Sequence, residues 1–215
     1  AIIILEKGYI INSNDLAIIN NLANAKKSLL KFKESEELYK LSISKKKDYF
    51  SAYVNYGNLK RELNKFNEAI TLYKKALTYN DRLPAIHYSL AMSYQSLGNF
   101  KEAEYYANKT IELDKKFTKA DLLISRSKKY TSNDIHLEQM NQKISDKKLN
   151  PLEKIDLYFA LSKANEDLGE IEACFNFLKE GNKLKRDNIK FDLKFEENTF
   201  KKIKQIFLNI DSNNI

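Results

Sequence analysis

Asparagine, arginine and lysine recur in this chain at steps of three residues. Asn21, Asn24 and Lys27 form one set, and Asn55, Asn58 and Arg61 form a second, each 34 residues after its counterpart. Ser89, Met92 and Gln95 continue the first two columns and the third, and Arg126 and Lys129 extend the last two. Steps of three keep such residues on one face of a helix. A side-chain amide offers both a donor and an acceptor, which suits a bidentate grip on an extended peptide backbone. Arginine and lysine beside it would select acidic side chains or a carboxylate. Asparagine is a modest helix former, so its return to one face calls for a reason; the competing explanation is that asparagine is abundant throughout the chain.

Residues suited to catalysis are scarce. His87 and His136 are the only histidines and Cys174 the only cysteine, so neither a disulfide framework nor a metal site follows from spacing. His87 falls in a column of large apolar residues, which makes it a packing residue. Cys174 stands at a tight helix-packing position as a small hydrophobe. Glu34, Glu68 and Glu102 are one period apart at helix starts, where a carboxylate favours the positive end of the dipole; they form no acid/base pair. Five scattered glycines make no phosphate-cradling loop. The expectation is a binding protein with no enzyme activity, metal or cofactor in these residues.

Composition narrows the partners. The 215 residues are 43% hydrophobic and 31% charged, enough for a core with a solvated surface. Few glycines and only two prolines favour long helices with short connections. The net charge of +8 rests on lysine, the arginines being Arg61, Arg82, Arg126 and Arg186 alone. Nucleic-acid clefts favour arginine forks and exposed aromatics, whereas Tyr53, Tyr56, Phe66 and Tyr73 fall at packing positions and Tyr88 alone is expected at the groove. Nucleic acid is therefore the weaker expectation, and an acidic protein or extended peptide the stronger. No apolar run approaches the roughly 20 residues of a membrane span. The first residues lack the marks of a signal peptide, which points to the cytoplasm.

The elements that must position these residues follow from one interval. Phe32, Phe66 and Phe100 are 34 residues apart, as are Ser35, Ala69 and Ala103, and Leu22, Tyr56 and Leu90; Tyr39 and Tyr73 share a column with Ala107. A fixed period of this length means one supersecondary unit repeated. Two apolar runs at helical spacing fill each period, so the unit is a helical hairpin. Gly57 and Ala91, with Ala69 and Ala103, let the two helices approach. Phe66 and Phe100 open the second helix and are expected to wedge under the turn. Gly98 lies where a left-handed residue ends the first helix.

These residues resemble the tetratricopeptide-repeat (TPR) family, whose 34-residue helix–turn–helix unit has similar spacing. The resemblance implies an all-α, right-handed superhelix whose first helices line a groove for a partner protein or peptide. It places a partial repeat at 1–15, repeats at 16–49, 50–83 and 84–117, and a half repeat at 118–130. Ile19, Tyr53 and His87 depart from the family's tryptophan, and Ser35 from its alanine. The groove set is Asn21, Asn24, Lys27, Asn55, Asn58, Arg61, Tyr88, Arg126 and Lys129. Ala1 falls in the small-residue column of a second helix, so the chain reads as starting inside a unit. Ile2, Ile3, Ile4 and Leu5 then form an apolar end expected to self-associate.

From Ser132 the phase is lost, and residues 131–215 read as a helical extension. Asn133 or Asp134 caps one helix; Asn150, with Pro151 after it, caps another. A TPR-like hairpin spans about 151–188, with Leu161, Gly169, Ile171, Cys174 and Leu178 at family positions, and a last helix spans about 195–209. The irregular helix, the hairpin "FALSKANEDLGEIEACFNFLKEGNKLKR" and the amphipathic "TFKKIKQIF" together resemble the segment before the catalytic domain of bacterial TPR–sulfotransferase proteins. That resemblance implies a non-catalytic recruiting arm of a larger phosphoadenosine-phosphosulfate-dependent enzyme. The alternatives are a free-standing interaction module and, behind it, an RNA-binding solenoid.

Overall fold

The computed structural model describes residues 2–188 and 193–211, and among them every regular element is a helix. In chain order these are α1 (Ile2–Ile11), α2 (Leu16–Ser28), α3 (Phe32–Lys45), α4 (Phe50–Glu62), α5 (Phe66–Leu77), α6 (Pro84–Ser96), α7 (Phe100–Leu113), α8 (Thr118–Ser127), α9 (Ile135–Ile144), α10 (Pro151–Leu168), α11 (Ile171–Asn188) and α12 (Leu193–Asp211). Helices α2, α4, α6 and α8 start one period apart, and so do α3, α5 and α7. Hairpins α2–α3, α4–α5 and α6–α7 stack so that each second helix packs on the next first helix, while successive first helices also touch. The result is a TPR-type α-solenoid.

The turns show why the period holds. Leu30, Asn64 and Gly98 occupy one column, and all three are left-handed, with φ of 59°, 58° and 75°. The N–H that follows each donates back to the first helix: Lys31 to the Lys26 carbonyl at 2.9 Å, Lys65 to Lys60 at 2.8 Å, and Asn99 to Tyr94 at 2.9 Å. This bond satisfies a carbonyl the helix end would leave orphaned. The α10–α11 turn uses the same device, with Gly169 at φ 78° and Glu170 donating to Asn165 at 2.9 Å.

Small residues set the helix spacing. Ala23, Ser35, Ala69, Ala91, Ala103 and Ala107 are all fully buried. Ser35 replaces alanine without leaving a polar orphan, because its hydroxyl donates to the Ala23 carbonyl at 2.8 Å. Tyr39 and Tyr73 are the largest fully buried side chains. His87 packs in its aromatic column, stacked on Tyr106, with Nε2 2.8 Å from the Asp81 carbonyl. Phe32 and Phe66 are half-buried, but Phe100 is 50% exposed. Phe100 therefore opens its helix without wedging under the turn. Helix α1 packs on α2 and half-covers Ile2 and Leu5, leaving Ile3, Ile4, Ile10 and Ile11 exposed.

The array changes character at α9. This helix starts close to the repeating position, yet Leu137 stands in the column of Ser35, Ala69 and Ala103, and a leucine there holds the helix off its partner. Helix α9 packs on α10, and α10 in turn packs on α8. A polar cluster fills the space behind: fully buried Asp121 of α8 accepts from Lys143 Nζ at 2.6 and 2.8 Å and lies 3.1 Å from His136 Nε2, whose Nδ1 is 2.7 Å from the Tyr130 hydroxyl. Asp134 caps α9 by accepting from the His136 N–H at 2.9 Å. Asn150 and Glu153 form a reciprocal capping box on α10. Cys174 is buried with Sγ 3.4 Å from the Ser162 hydroxyl.

Candidate functional site

Except for Lys129, the expected groove residues lie on α2, α4, α6 and α8, and the structure sorts them by what their polar atoms already do. Asn24 and Asn58 are committed. The Tyr39 hydroxyl donates to Asn24 Oδ1 at 2.6 Å, and the Tyr73 hydroxyl donates to Asn58 Oδ1 at 2.7 Å. Each amide thus satisfies a buried phenol of the second helix in its own unit, and only its Nδ2 remains to meet a guest. The third unit replaces both partners together, with Met92 for the asparagine and Ala107 for the tyrosine, and Met92 packs against the core.

The other asparagine column behaves differently. Asn55 Nδ2 donates to Asn20 Oδ1 at 3.2 Å, tying α4 to α2. Asn21 is exposed. Lys27 reaches across to Glu62 at 2.6 Å. Gln95 donates to the Ser127 hydroxyl at 2.9 Å and so links α6 to α8. Helix α8 ends at Ser127, because Lys128 turns to extended backbone, and Lys129 therefore lies in the loop beyond it.

What the fold does bring within electrostatic reach of Tyr88 on α6 is Arg61 on α4, Arg126 on α8 and Asp156 on α10. Tyr88 is half-buried against Phe117, ring centroids 5.0 Å apart. Burial chiefly raises its hydroxyl pKa; the Asp156 charge adds to that, and Arg126 and Arg61 oppose it. Arg61 is half-buried beside Tyr73, and its Nε is enclosed without a hydrogen-bond partner. Arg126 is exposed. Asp156 of α10 accepts from the Thr118 hydroxyl at 2.9 Å, and burial raises its pKa despite that bond. Sequence reasoning missed Asp156, since α10 has left the 34-residue phase and its columns no longer align with those of α4 and α6.

Two guanidinium charges and one carboxylate thus act on the Tyr88 hydroxyl, a balance of charge suited to a ligand with acidic side chains. Among the described residues no group of His, Cys, Asp or Glu could hold a metal ion, and no helix is long and apolar enough to cross a membrane.

Comparison with known proteins agrees with the helical-repeat fold. One family model, described as TPR repeat, matches residues 57–98, and another, described as Tetratricopeptide repeat, matches residues 84–117. No curated protein matches the chain. Among solved structures, YrrB, described as a TPR protein with an unusual peptide-binding site, is 20% identical, with 86% of this chain and 93% of that one covered at a TM-score of 0.62. A MamA protein is 18% identical, covering 83% and 96%, at a TM-score of 0.64. The first TPR of Spaghetti (RPAP3), bound to the HSP90 peptide SRMEEVD, is 16% identical, covering 54% and 92%, at 0.51. At such identities the likeness is one of fold. Residues 57–117 thus carry tetratricopeptide repeats, and the chain as a whole has the architecture of a TPR solenoid.

Proposed function

We propose that this chain is a peptide-binding scaffold whose groove takes an extended acidic segment at Arg61, Tyr88 and Arg126, with the repeats divided at 16–49, 50–83 and 84–117. The observation that carries it is the pair of arginines on first helices, half-buried Arg61 on α4 and exposed Arg126 on α8, whose charges both act on Tyr88 of α6 between them. A carboxylate placed between two guanidinium groups gains charge-assisted hydrogen bonds, each worth about 1.5–3 kcal/mol. Asn21, Asn55 and the free amide hydrogens of Asn24 and Asn58 extend the grip along the peptide, and Lys27 and Lys129 flank it. That YrrB is described with a peptide-binding site and the RPAP3 repeat holds an acidic peptide lends support from the same architecture.

Titration of labelled acidic and neutral extended peptides tests the reading. Arg61→Ala is expected to weaken the acidic peptide about tenfold, the worth of one charge-assisted hydrogen bond, and to spare the neutral one. Equal affinities for both peptides, unchanged by Arg61→Ala and Asn58→Ala, would remove it.

The sulfotransferase recruiting role rests on the resemblance of residues 118–208 alone, and the free-standing module stands beside it; a catalytic domain elsewhere in a longer chain decides between them. Self-association belongs to the exposed Ile3, Ile4, Ile10 and Ile11 of α1, and concentration-dependent sedimentation that Ile4→Lys abolishes would mark it. The absence of a hydrophobic span among the described helices is compatible with a cytoplasmic setting.

A further inference from the structure

Opposite the groove, the second helices leave a cleft where α9 stands off the array. It encloses about 930 Å³, within the range of small-molecule sites. Helix α7 contributes Tyr105, Asn108 and Lys109, the next loop Lys115 and Lys116, and α9 Gln139, Gln142 and Lys143. Ile111 and Leu149 add an apolar part.

The lining has a surplus of positive charge once internal pairs are removed. Lys109 is tied to Glu112 at 2.6 Å, and Lys143 to buried Asp121 at 2.6 Å. Asp146, the other acid of the cleft, accepts from the Lys148 N–H at 2.8 Å and keeps its charge, so the surplus over the pairs is one positive charge. Lys115 and Lys116 make no ion pair among the described residues, and both are exposed. Nor is a basic lining general to this wall. Three periods earlier a cleft of about 600 Å³ lies between α1 and α3, with Glu6 in the place of Asn108, Glu37 in that of Gln139 and Leu41 in that of Lys143. That cleft carries three glutamates against Lys26. Two equivalent clefts on a chain of net charge +8 thus have opposite linings, and only the one at the irregular α9 is cationic.

We infer that the α7–α9 cleft binds a small phosphorylated molecule, with Lys115 and Lys116 on its phosphates and the Asn108, Gln139 and Gln142 amides completing the polar contacts. Lys143, fixed from behind by Asp121, has one N–H left to join them. A phosphate group offers several acceptor oxygens and up to two charges, which matches paired free ammonium groups better than a single carboxylate does.

The test is calorimetric titration of the full chain with tripolyphosphate, ATP and adenosine at constant ionic strength, since surface charge alone is screened by salt. Saturable one-to-one binding of tripolyphosphate and ATP is expected, with none for adenosine. Lys115→Gln with Lys116→Gln should weaken it at least tenfold. The same change at Lys46 and Lys47, in the matching exposed loop two periods earlier, should leave affinity within twofold. All four lysines are exposed on loops, so neither double variant removes a buried contact. Tighter binding of ATP than of tripolyphosphate would identify a nucleotide as the source of the phosphate, and equal binding a free polyphosphate. Absence of saturable binding, or equal weakening by the two double variants, overturns the proposal.

Discussion

Leu30 holds a φ of 59° and is 73% exposed, so it bears left-handed strain with little burial in return. A left-handed L-residue costs roughly 1–2 kcal/mol, and glycine serves in the same column at Gly98. Leu30→Gly should raise stability by about 0.5–1 kcal/mol after the added freedom of the unfolded chain is subtracted, read as a higher urea midpoint at unchanged m-value. Gly57 argues the other way. A Cβ there would lie 2.6 Å from Tyr73 Cε1 and 2.9 Å from Cδ1, and that ring is fully buried with its hydroxyl bonded to Asn58. Gly57→Ala gains about 1 kcal/mol of helix propensity, but overpacking costs about 1–3 kcal/mol. Net destabilisation of about 1 kcal/mol is expected, and a stabilised variant would show that the α4–α5 approach is looser than described. The asparagine columns were legible as recurrent polarity, while their use was not. The clue lay in a second column fifteen residues on: asparagine and tyrosine occur together at 24 and 39 and at 58 and 73, and vanish together at Met92 and Ala107.

Between elements, an ion cluster joins α3, α4 and α5. Lys60 is only 4% exposed in its side chain, contacts Glu36 at 3.1 Å and Glu68 at 2.7 Å, and lies over the Tyr56 ring. Burial works to raise the Glu36 pKa, but hydrogen bonds from Lys40, Tyr56 and Lys60 outweigh it and hold the carboxyl at about 2. A group depressed in this way stabilises the fold above its unfolded value near 4.5, and that contribution is lost as pH falls toward 2. Glu36→Gln should therefore cost about 1 kcal/mol at neutral pH and little at pH 2, so the urea midpoints of the two proteins converge on acidification. A constant difference between pH 7 and pH 2 would place Glu36 outside the linkage. Lys26 repeats the arrangement one unit earlier, with Glu34 at 2.9 Å and Glu6 at 2.7 Å. Glu34 and Glu68, expected merely to favour a helix dipole, thus also bind a lysine of their own hairpin, whereas in the third unit, that of Glu102, Tyr94 stands in the lysine's column. Leu137 makes the opposite point: its column was visible in the sequence, but that α9 would swing away and bury Asp121 with His136 and Lys143 depends on the shape of the gap.

For the whole molecule, the period and the hairpins followed from spacing, and of the left-handed turns only the one at Gly98 was legible, because a stack of identical units repeats its packing constraints at each step whatever residue stands at the turn. The site was less legible. Arg61, Tyr88 and Arg126 come from three units at the repeating pitch, whereas Asp156 enters from a helix that has left it, and the α7–α9 cleft differs from its α1–α3 counterpart in the charge of its lining. The position of a bound peptide decides whether the first helices form the groove. Hydrogen exchange with and without a saturating acidic peptide locates the contact directly. Protection is expected on the first helices, within 54–62, 85–92 and 119–127, with the second helices 66–77 and 100–113 unchanged. Protection confined to those second helices, with none along α4, α6 and α8, would contradict it.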